Sequence, residues 1–261
     1  MRLTAQTTTT ALLIASCLTR TGCQNPKPKP DAEPTVLVRV LEEFTLPEPG
    51  EAWTFRTAER WQIAEKENRR FLQMAGPSQR PVMPGVAHPR EYAIYNKYRF
   101  RSFSLSCRVR IDCDPAADPG DVCIIFGWQD DDHFYYAQLS SLPNGAHNTI
   151  GRVDGETTRS LLPPGRRPEP AITDNQWHKV DVLRDADTGT IEVYVDAYDP
   201  QRPKPPLLRA ADRTYQWGCI GLGSVAGRAG FARLIIEGFS ATPLAETNAP
   251  LSAVSSRKED F

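Results

Sequence analysis

The stretch WHKVDVLRDADTGTIEVYVD, residues 177–196, decides the fold class. Apolar and polar residues alternate directly after Trp177, and they alternate again from residue 191 to residue 195. A period of two places every second side chain on the same face, which is typical of a β-strand with one buried face. Residues 185–189 between the two runs have the composition of a turn. We therefore predict a β-hairpin of two half-buried strands.

The same period of two continues through most of the chain between residues 35 and 240. Residues 103–111, FSLSCRVRI, alternate apolar positions with serine and arginine. Similar runs predict further strands at 35–44, 59–65, 69–75, 218–225 and 232–239. No stretch of ten residues keeps a helical stripe, and 23 prolines and 17 glycines supply many turns. Many short strands without intervening helices predict an all-β, antiparallel two-sheet β-sandwich.

The N-terminal residues 1–23 are interpreted as a signal peptide. Arg2 precedes a short apolar run at residues 11–16, and Cys17 follows Ile-Ala-Ser in a pattern that resembles the bacterial lipoprotein box. Cys23 is the other candidate for lipidation, and a threonine-rich start with two incidental cysteines is the alternative interpretation. We predict export to a bacterial cell envelope, either lipid-anchored or periplasmic, with secretion as a further possibility.

The rest of the chain divides by composition. Residues 24–34, QNPKPKPDAEP, are a Pro/Lys-rich linker that cannot bury a core. Residues 35–241 form the predicted folded domain, and residues 242–261 are predicted to be a disordered tail. A formal net charge of −1 argues against binding to nucleic acid. No apolar run reaches 18 residues, so the membrane contact we predict is through a lipid anchor alone.

Several short motifs, taken in order, resemble the laminin-G-like domains of the concanavalin A-like lectin and glucanase superfamily. The segment 177–196 is similar to their paired strands, WGCIGLGS at 217–224 with Phe231 to their closing strands, and FRSFSL at 100–105 to another strand. FYYAQL at 134–139 with HNTI at 147–150 resembles bacterial members exported alongside polysaccharide-degrading systems. The resemblance implies a jelly-roll fold across residues 36–240. This fold hosts lectins, glycosidases, lyases and adhesion modules, so it does not by itself imply one activity.

We predict a non-catalytic module whose partner is a polysaccharide or an extracellular protein. Glucanases of glycoside hydrolase family 16 carry their carboxylates as E-x-D-x-x-E on one strand, and this chain contains no E-x-D. A glycan-active hydrolase similar to the 3-keto-disaccharide hydrolases is the first alternative. A structural envelope protein is the second.

Polar and aromatic residues near one predicted turn are candidates for binding a sugar. An aromatic ring stacks on a sugar ring, while amide, imidazole and guanidinium groups bind its hydroxyl groups. The candidate ligand-binding residues are Tyr136, Gln138, His147, Asn148, Arg152 and Arg159. The alternative for Asn148 is a structural role in which its amide caps backbone groups of the turn.

Two acidic clusters could bind calcium, whose preferred ligands are oxygen atoms. The cluster in GWQDDDHF at 127–134 lies between two apolar runs, and we interpret it mainly as a hairpin turn. The other cluster lies in residues 112–121. The candidate metal ligands are Asp112, Asp114, Asp118, Asp121, Asp130 and Asp132. We predict that the protein requires no cofactor. Calcium is the ion that these aspartates could bind.

The cysteines of the domain are compatible with one disulfide bond. Cys113 and Cys123 flank a loop, and they would face each other if the adjoining strands form a hairpin. A disulfide is plausible in an exported protein, although spacing alone does not establish the pairing. The alternative is that the domain cysteines are small buried side chains with free thiols.

Overall fold

The computed structural model describes residues 36–75, 88–112, 120–142, 147–166, 168–202, 204–225 and 227–244. Strands dominate this part of the chain, and the short helical element within it is a 3-10 turn at Ala58–Arg60. The strands are β1 Val36–Glu42, β2 Trp53–Phe55, β3 Trp61–Lys66, β4 Arg69–Met74, β5 Glu91–Phe100, β6 Phe103–Ile111, β7 Asp121–Asp130, β8 His133–Ser140, β9 Thr149–Asp154, β10 Thr157–Ser160, β11 His178–Asp185, β12 Thr190–Val195, β13 Leu208–Ala211, β14 Gly218–Ser224 and β15 Ala229–Pro243. Among the described residues, no helix is long and apolar enough to cross a membrane.

The strands form one antiparallel sheet that curls back on itself. Its order is β10-β9-β8-β7-β14-β5-β15-β6-β11-β12-β13, with β1 and β4 paired to β15, β2 to β5, and β3 to β4. Strands β5 and β15 meet over three residue pairs, from Ala241 opposite Phe100 to Pro243 opposite Tyr98. We call β10 to β5 the front layer and β15 to β13 the back layer. The predicted all-β antiparallel jelly-roll is confirmed.

The alternating pattern builds the core between the layers. Along β6, Phe103, Leu105, Cys107 and Val109 are buried, whereas the serines and Arg108 between them are partly exposed. Side chains from both layers belong to one large apolar cluster, in which the rings of Phe103 and Phe126 lie 6.1 Å apart. Burying each large aliphatic side chain contributes roughly 1.5–3 kcal/mol, so the cluster is the main stabilising feature of the fold.

The predicted hairpins are present with local turn chemistry. In β11–β12, Val180 pairs with Val195, and the carboxylate of Asp185 accepts hydrogen bonds from the backbone N–H groups of Asp187 and Thr188. In β3–β4 the two turn residues, Glu67 and Asn68, both have positive φ values, 53° and 58°. Two successive left-handed residues are what a two-residue hairpin loop needs to match the strand twist.

Strands β7 and β8 are buried on both faces, as the continuous apolar run in β7 predicted. One face contributes to the main core, and the other belongs to a second apolar cluster of Tyr92, Ile94, Ile125, Phe134, Tyr136, Val153 and Cys219. Trp128 and Leu244 pack against this second cluster. The outer face of the front layer is therefore apolar rather than a polar groove.

Cys107, Cys123 and Cys219 are buried free thiols. The thiol of Cys123 donates to the carboxylate of Asp121 at 3.3 Å. Because Cys123 is a free thiol, the structure does not bear out the predicted Cys113–Cys123 disulfide. Cys113 itself lies outside the described residues. Cys17 and Cys23, the predicted lipidation sites, and the predicted linker also lie outside them. Strand β15 runs to Pro243, two residues past the predicted end of the domain.

Candidate functional site

Three of the predicted sugar ligands are buried inside the front layer. Tyr136 is 2% exposed and Gln138 is 1% exposed. The ring of Tyr136 lies over Gly151, its cross-strand partner, so closely that a Cβ at that position would overlap the ring. Tyr136 and Gln138 therefore offer no surface to a ligand, and the prediction of a stacking platform at Tyr136 was wrong. Because side chains alternate between the two faces of β8, Tyr136 lies on the face of the second apolar cluster.

Asn148 has the structural role that was its alternative interpretation. It is fully buried, its Oδ1 accepts from the backbone N–H of Ser140 at 2.9 Å, and its Nδ2 donates to the carbonyl of Leu142 at 2.5 Å. These bonds satisfy backbone groups where β8 ends. The neighbouring His147 is half-buried. Asn148 is thus corrected from a sugar ligand to a cap of the turn between β8 and β9.

Arg152 and Arg159, by contrast, are brought together by the fold. They are directly opposite each other on β9 and β10, and both contact the carboxylate of Asp212. Arg152 Nη1 lies 2.9 Å and Arg159 Nη2 lies 3.3 Å from Asp212 Oδ2. Asp212 comes from the segment after β13, so it links the back layer to the front layer. We call these three residues the Asp212 cluster.

Tyr135 and Thr214 complete the environment of Asp212. The Tyr135 hydroxyl donates to Asp212 Oδ1 at 2.5 Å, and the backbone N–H of Thr214 donates to the same oxygen at 2.8 Å. Burial raises the pKa of Asp212, but these hydrogen bonds and the charge of Arg152 outweigh it and hold the pKa well below its usual range. Asp212 is therefore a permanently ionised carboxylate at neutral pH.

The β7–β8 hairpin ends beside this cluster, and its turn is the acidic run of the sequence. Asp130 pairs with His133 across a two-residue loop of Asp131 and Asp132, which confirms the predicted turn. Asp130 Oδ1 accepts from the backbone N–H of Asp132 at 2.9 Å and lies 2.7 Å from His133 Nδ1. The acidic run is thus stabilised by its own backbone contacts.

On the other side of the turn, Asp131 contacts the outer face of the front layer. The Tyr92 hydroxyl donates to Asp131 Oδ1 at 2.6 Å, and Arg56 Nη1 donates to the Tyr92 hydroxyl at 3.0 Å. Burial is the main cause that raises the pKa of Tyr92, with the bond to Asp131 adding to it. Tyr92 therefore stays protonated and orients the exposed Asp131 carboxylate.

Three half-buried aromatic residues lie on the hairpin and on the segment that contacts it. Trp128 precedes it on β7, while Tyr215 and Trp217 lie on the segment between β13 and β14. The Tyr215 hydroxyl donates to the carbonyl of Val153 at 2.8 Å, and its ring lies 6.3 Å from that of His133. Gln129 donates from its side chain to the carbonyl of Trp217. We call residues 128–133 and 212–217, together with Arg152 and Arg159, the hairpin-tip surface.

The hairpin-tip surface combines the group types that bind sugars. Its aromatic residues are half-buried, and Arg159, with 54% of its side chain exposed, and Asp131, with 54%, offer a donor and an acceptor. Both charged groups are oriented by buried partners, which reduces the entropy lost when a ligand binds. Such a surface is suited to recognising hydroxyl groups beside an apolar ring face.

Asp112, Asp121 and Asp130, from the two predicted calcium clusters, each have separate protein partners. Asp112 accepts from Arg110 at 2.6 Å, and Asp121 accepts from Ser224 at 2.8 Å. Within the described ranges, no group of three or more acidic, histidine or cysteine side chains could hold a metal ion. Asp130 and Asp132 therefore do not converge on an ion site with other such groups there. Asp114 and Asp118 lie outside the described residues.

Two solved structures share this fold at low sequence identity. The carbohydrate-binding module CBM66 from Bacillus subtilis aligns with a TM-score of 0.50 and 12% identity, covering 72% of this chain and 96% of its own. A seed lectin from Lotus tetragonolobus aligns with a TM-score of 0.50 and 14% identity, covering 80% of this chain and 100% of its own. No family model and no curated protein sequence matches the chain. The likeness confirms the concanavalin A-like jelly-roll, which the sequence motifs predicted.

Sequence reasoning found the two arginines of the site but missed Asp212, Tyr135 and the rings around the turn. Asp212 occurs in a polar stretch, ADRTYQW, that has no motif of its own. No local signal marks it, because its partners Tyr135, Arg152 and Arg159 are distant in sequence and meet it only in the folded chain.

Proposed function

We propose that the domain is a non-catalytic carbohydrate-binding module and that the hairpin-tip surface is its glycan site. The observation that supports this proposal is that three half-buried aromatic residues, Trp128, Tyr215 and Trp217, lie on the hairpin and its neighbouring segment, beside charged groups that are already oriented. Sugars are bound by such combinations, because a ring face covers the apolar side of the sugar while oriented polar groups bind its hydroxyls. The fold neighbours include a carbohydrate-binding module and a lectin, which agrees with this class of function.

The electrostatics of the tip favour binding over hydrolysis. A glycosidase needs one carboxyl group that remains protonated near neutral pH to act as the acid. Burial raises the pKa of both Asp212 and Asp130, but hydrogen bonds and neighbouring positive charge together outweigh it and lower both pKa values. Both carboxylates are therefore acceptors for sugar hydroxyls rather than proton donors. Hydrolysis remains the alternative that product analysis would reveal.

We also propose that the module works outside the cytoplasm, held to a bacterial membrane by a lipid on Cys17. The support is the order of residues 1–34, in which a charged residue, an apolar run and a cysteine precede a Pro/Lys-rich spacer. Metabolic labelling with a fatty-acid analogue tests this. We expect label on the full chain and none on the Cys17→Ser variant, with Cys23→Ser as the matched control. Loss of label in the Cys23→Ser variant alone would place the lipid on Cys23 instead. Absence of label from the wild-type chain would contradict lipidation.

The glycan proposal is tested by thermal melting of the full chain against a panel of neutral polysaccharides. A ligand that binds only the folded state raises the melting temperature, by an amount that grows with its concentration over Kd. We expect at least one polysaccharide to raise it, with no sugar fragments released on prolonged incubation. Released fragments would favour the hydrolase, and no shift with any polysaccharide would contradict the proposal. A parallel series with calcium tests the metal prediction that involves residues 112–121.

A further inference from the structure

A second concave surface lies on the back layer, away from the strands that carry the hairpin tip. It is a cleft of about 640 Å³. Its lining residues come from β3, β4, the turn between them, β6, β15 and the segment after β1: Glu43, Thr45, Glu65, Asn68, Arg69, Arg70, Arg108, Ala232 and Arg233. Binding sites for organic ligands typically have ~300–1,000 Å³, so the cleft can hold a sugar unit rather than a bare ion.

The cleft is positively charged in a chain whose overall charge is not. Four arginines and two glutamates line it, which gives a local balance of +2 (four minus two), whereas the whole chain has a net charge of −1. An excess of one sign of charge in a concave surface attracts ligands of the opposite sign. This charge pattern therefore selects an anionic ligand.

Most arginine side chains of the cleft have no ion pair or hydrogen bond with the described residues. Arg70 donates to the carbonyl of Thr45 at 2.6 Å and lies 3.4 Å from Glu65. Arg69, Arg108 and Arg233 have no ion pair or side-chain hydrogen bond with any residue of the described ranges. Three guanidinium groups from three different strands thus converge on one cleft with their donors available, in the planar form that suits an oxyanion.

Arg233 is held in this cleft by an unusual backbone. Its φ is +47°, a conformation that L-residues other than glycine, asparagine and aspartate rarely adopt. It lies in an irregular part of β15, where the register to β6 shifts between Ala232 and Ile235. Bulges of this kind re-aim a side chain, and non-glycine residues in the left-handed region concentrate at functional sites. An arginine retained where glycine would fit better points to a role for its side chain.

We propose that this cleft binds an acidic glycan, a sugar chain carrying carboxylate or sulfate groups. The guanidinium groups of Arg69, Arg108 and Arg233 bind the anionic group, and the carboxylates of Glu43 and Glu65 accept hydrogen bonds from the sugar hydroxyls. A polyanion without hydroxyl donors, such as a phosphate polymer, would be repelled by the two glutamates and could not donate hydrogen bonds to them. The site is separate from the hairpin-tip surface and does not depend on the function proposed there.

The test measures binding of the full chain to oligogalacturonate, oligoalginate and dextran sulfate, with a neutral dextran as reference. We expect at least one acidic oligomer to bind, with an affinity that falls as salt is raised. Arg233→Gly should weaken binding at least tenfold without lowering the melting temperature, since glycine adopts the left-handed backbone freely. Arg69→Gln should weaken it similarly. Arg209→Gln, which removes an exposed arginine of β13 outside the cleft, is the matched control and should bind like the wild type.

Three results would overturn the proposal. The first is that no acidic oligomer binds, or that the cleft variants bind them as tightly as Arg209→Gln does. The second is an Arg233-dependent rise in melting temperature with inorganic sulfate or phosphate while every acidic oligomer fails, which would make the cleft a small-anion site. The third is Arg233-dependent binding to vesicles containing anionic lipid without glycan binding. Neutral-glycan binding measured on the same variants reports separately on the hairpin tip, and we expect it to be unchanged.

Discussion

Asp212 is the carboxylate that contacts both arginines of the hairpin-tip surface. Arg152 and Arg159 face each other across β9 and β10, and like charges in that relation destabilise a sheet. The Asp212 carboxylate lies between them and offsets their repulsion. It also accepts from Tyr135, whose hydroxyl in turn accepts from the backbone N–H of Tyr215 at 3.0 Å. One carboxylate thereby orients both arginines and the segment that bears Tyr215.

Replacing Asp212 by asparagine should therefore destabilise the domain by about 2–3 kcal/mol, because a largely buried partner of Arg152 is lost while its shape is kept. The estimate is below that for a fully buried pair, since Arg159 is exposed and solvent screens its share. Urea unfolding measures the change. Asp187→Asn is the control, because Asp187 is 72% exposed and its pair with Arg101 should be worth less than ~1 kcal/mol. Equal losses in both variants would contradict the account.

Gly151 is required by the ring of Tyr136. A Cβ at position 151 would overlap the Tyr136 ring, so Gly151→Ala should destabilise the domain by about 1–3 kcal/mol, the usual effect of overpacking. Combined with Tyr136→Leu, the same alanine should cost much less, because the overlapping atoms are gone. Gly50→Ala, whose Cβ would meet its nearest atom at 4.0 Å, is the control. Additive losses in the double variant would show that the ring is not the cause.

Residue-level prediction from the sequence was uneven for a physical reason. Arg152 and Arg159 were identified because their guanidinium groups, close in sequence to the predicted turn, are donors suited to sugar hydroxyls. Asp212 was not, because its partners are 60 and 53 residues away in sequence and meet it only after the layers close. Tyr136 was misassigned because alternation shows which residues share a face but not which face is covered.

At the scale of elements, the β11–β12 hairpin is joined at its open end by one histidine. His178 Nδ1 lies 2.6 Å from Asp196 and its Nε2 lies 2.9 Å from Asp174. Burial lowers the pKa of His178, but the hydrogen bonds to the two aspartates outweigh it, so the pKa is raised above 6.5. The charged imidazolium therefore ties the start of β11 to the end of β12.

This pair of contacts makes stability depend on pH. A group whose pKa is raised by folding contributes its full stabilisation below its unfolded pKa, near 6.5, and loses it as the pH rises through the folded pKa. The wild type should exceed His178→Gln in melting temperature by more at pH 5.5 than at pH 8.5. A difference that is constant across pH would contradict the charged form.

Sequence reasoning identified strands with one clean apolar face, such as β6, and also β14, which is buried along its whole length. The β11–β12 hairpin was predicted with its turn, and β3 and β4 were predicted as separate strands. Short strands such as β2, β10 and β13 were missed, because three or four residues carry too little alternation to read. Strand β15 was found in part only, since its irregular register breaks the period of two along 15 residues.

At the scale of the whole molecule, the curled sheet encloses its cysteines. Burial raises the pKa of Cys107 and Cys123, and it raises that of Cys219 to about 11. A thiol reacts as its thiolate, so all three should resist iodoacetamide in the native full chain and react after unfolding without any reductant. Peptide mapping by mass spectrometry measures this site by site. A Cys123 that is labelled only after reduction would contradict the free thiol and restore the disulfide prediction.

The fold of the whole molecule was predictable because it depends on periodicity and on motifs that lie within single hairpins. The binding sites were not, since both arise where distant strands converge. The hairpin tip needs β7–β10 and the segment after β13, and the cleft needs β3, β4, β6 and β15. Neither convergence has a local sequence signal, which is why the fold resemblance implied no particular site.

The most direct test of the account is a titration of the polysaccharide that most raises the melting temperature into the full chain. The same titration is made with an Arg159→Ala/Trp217→Ala variant and with Arg39→Ala, a control in which an exposed arginine of β1 is removed. We expect measurable affinity for the wild type and for Arg39→Ala. We expect at least a tenfold higher Kd for the double variant, with its fold intact. Equal affinity in all three proteins would show that the hairpin tip is not the glycan site.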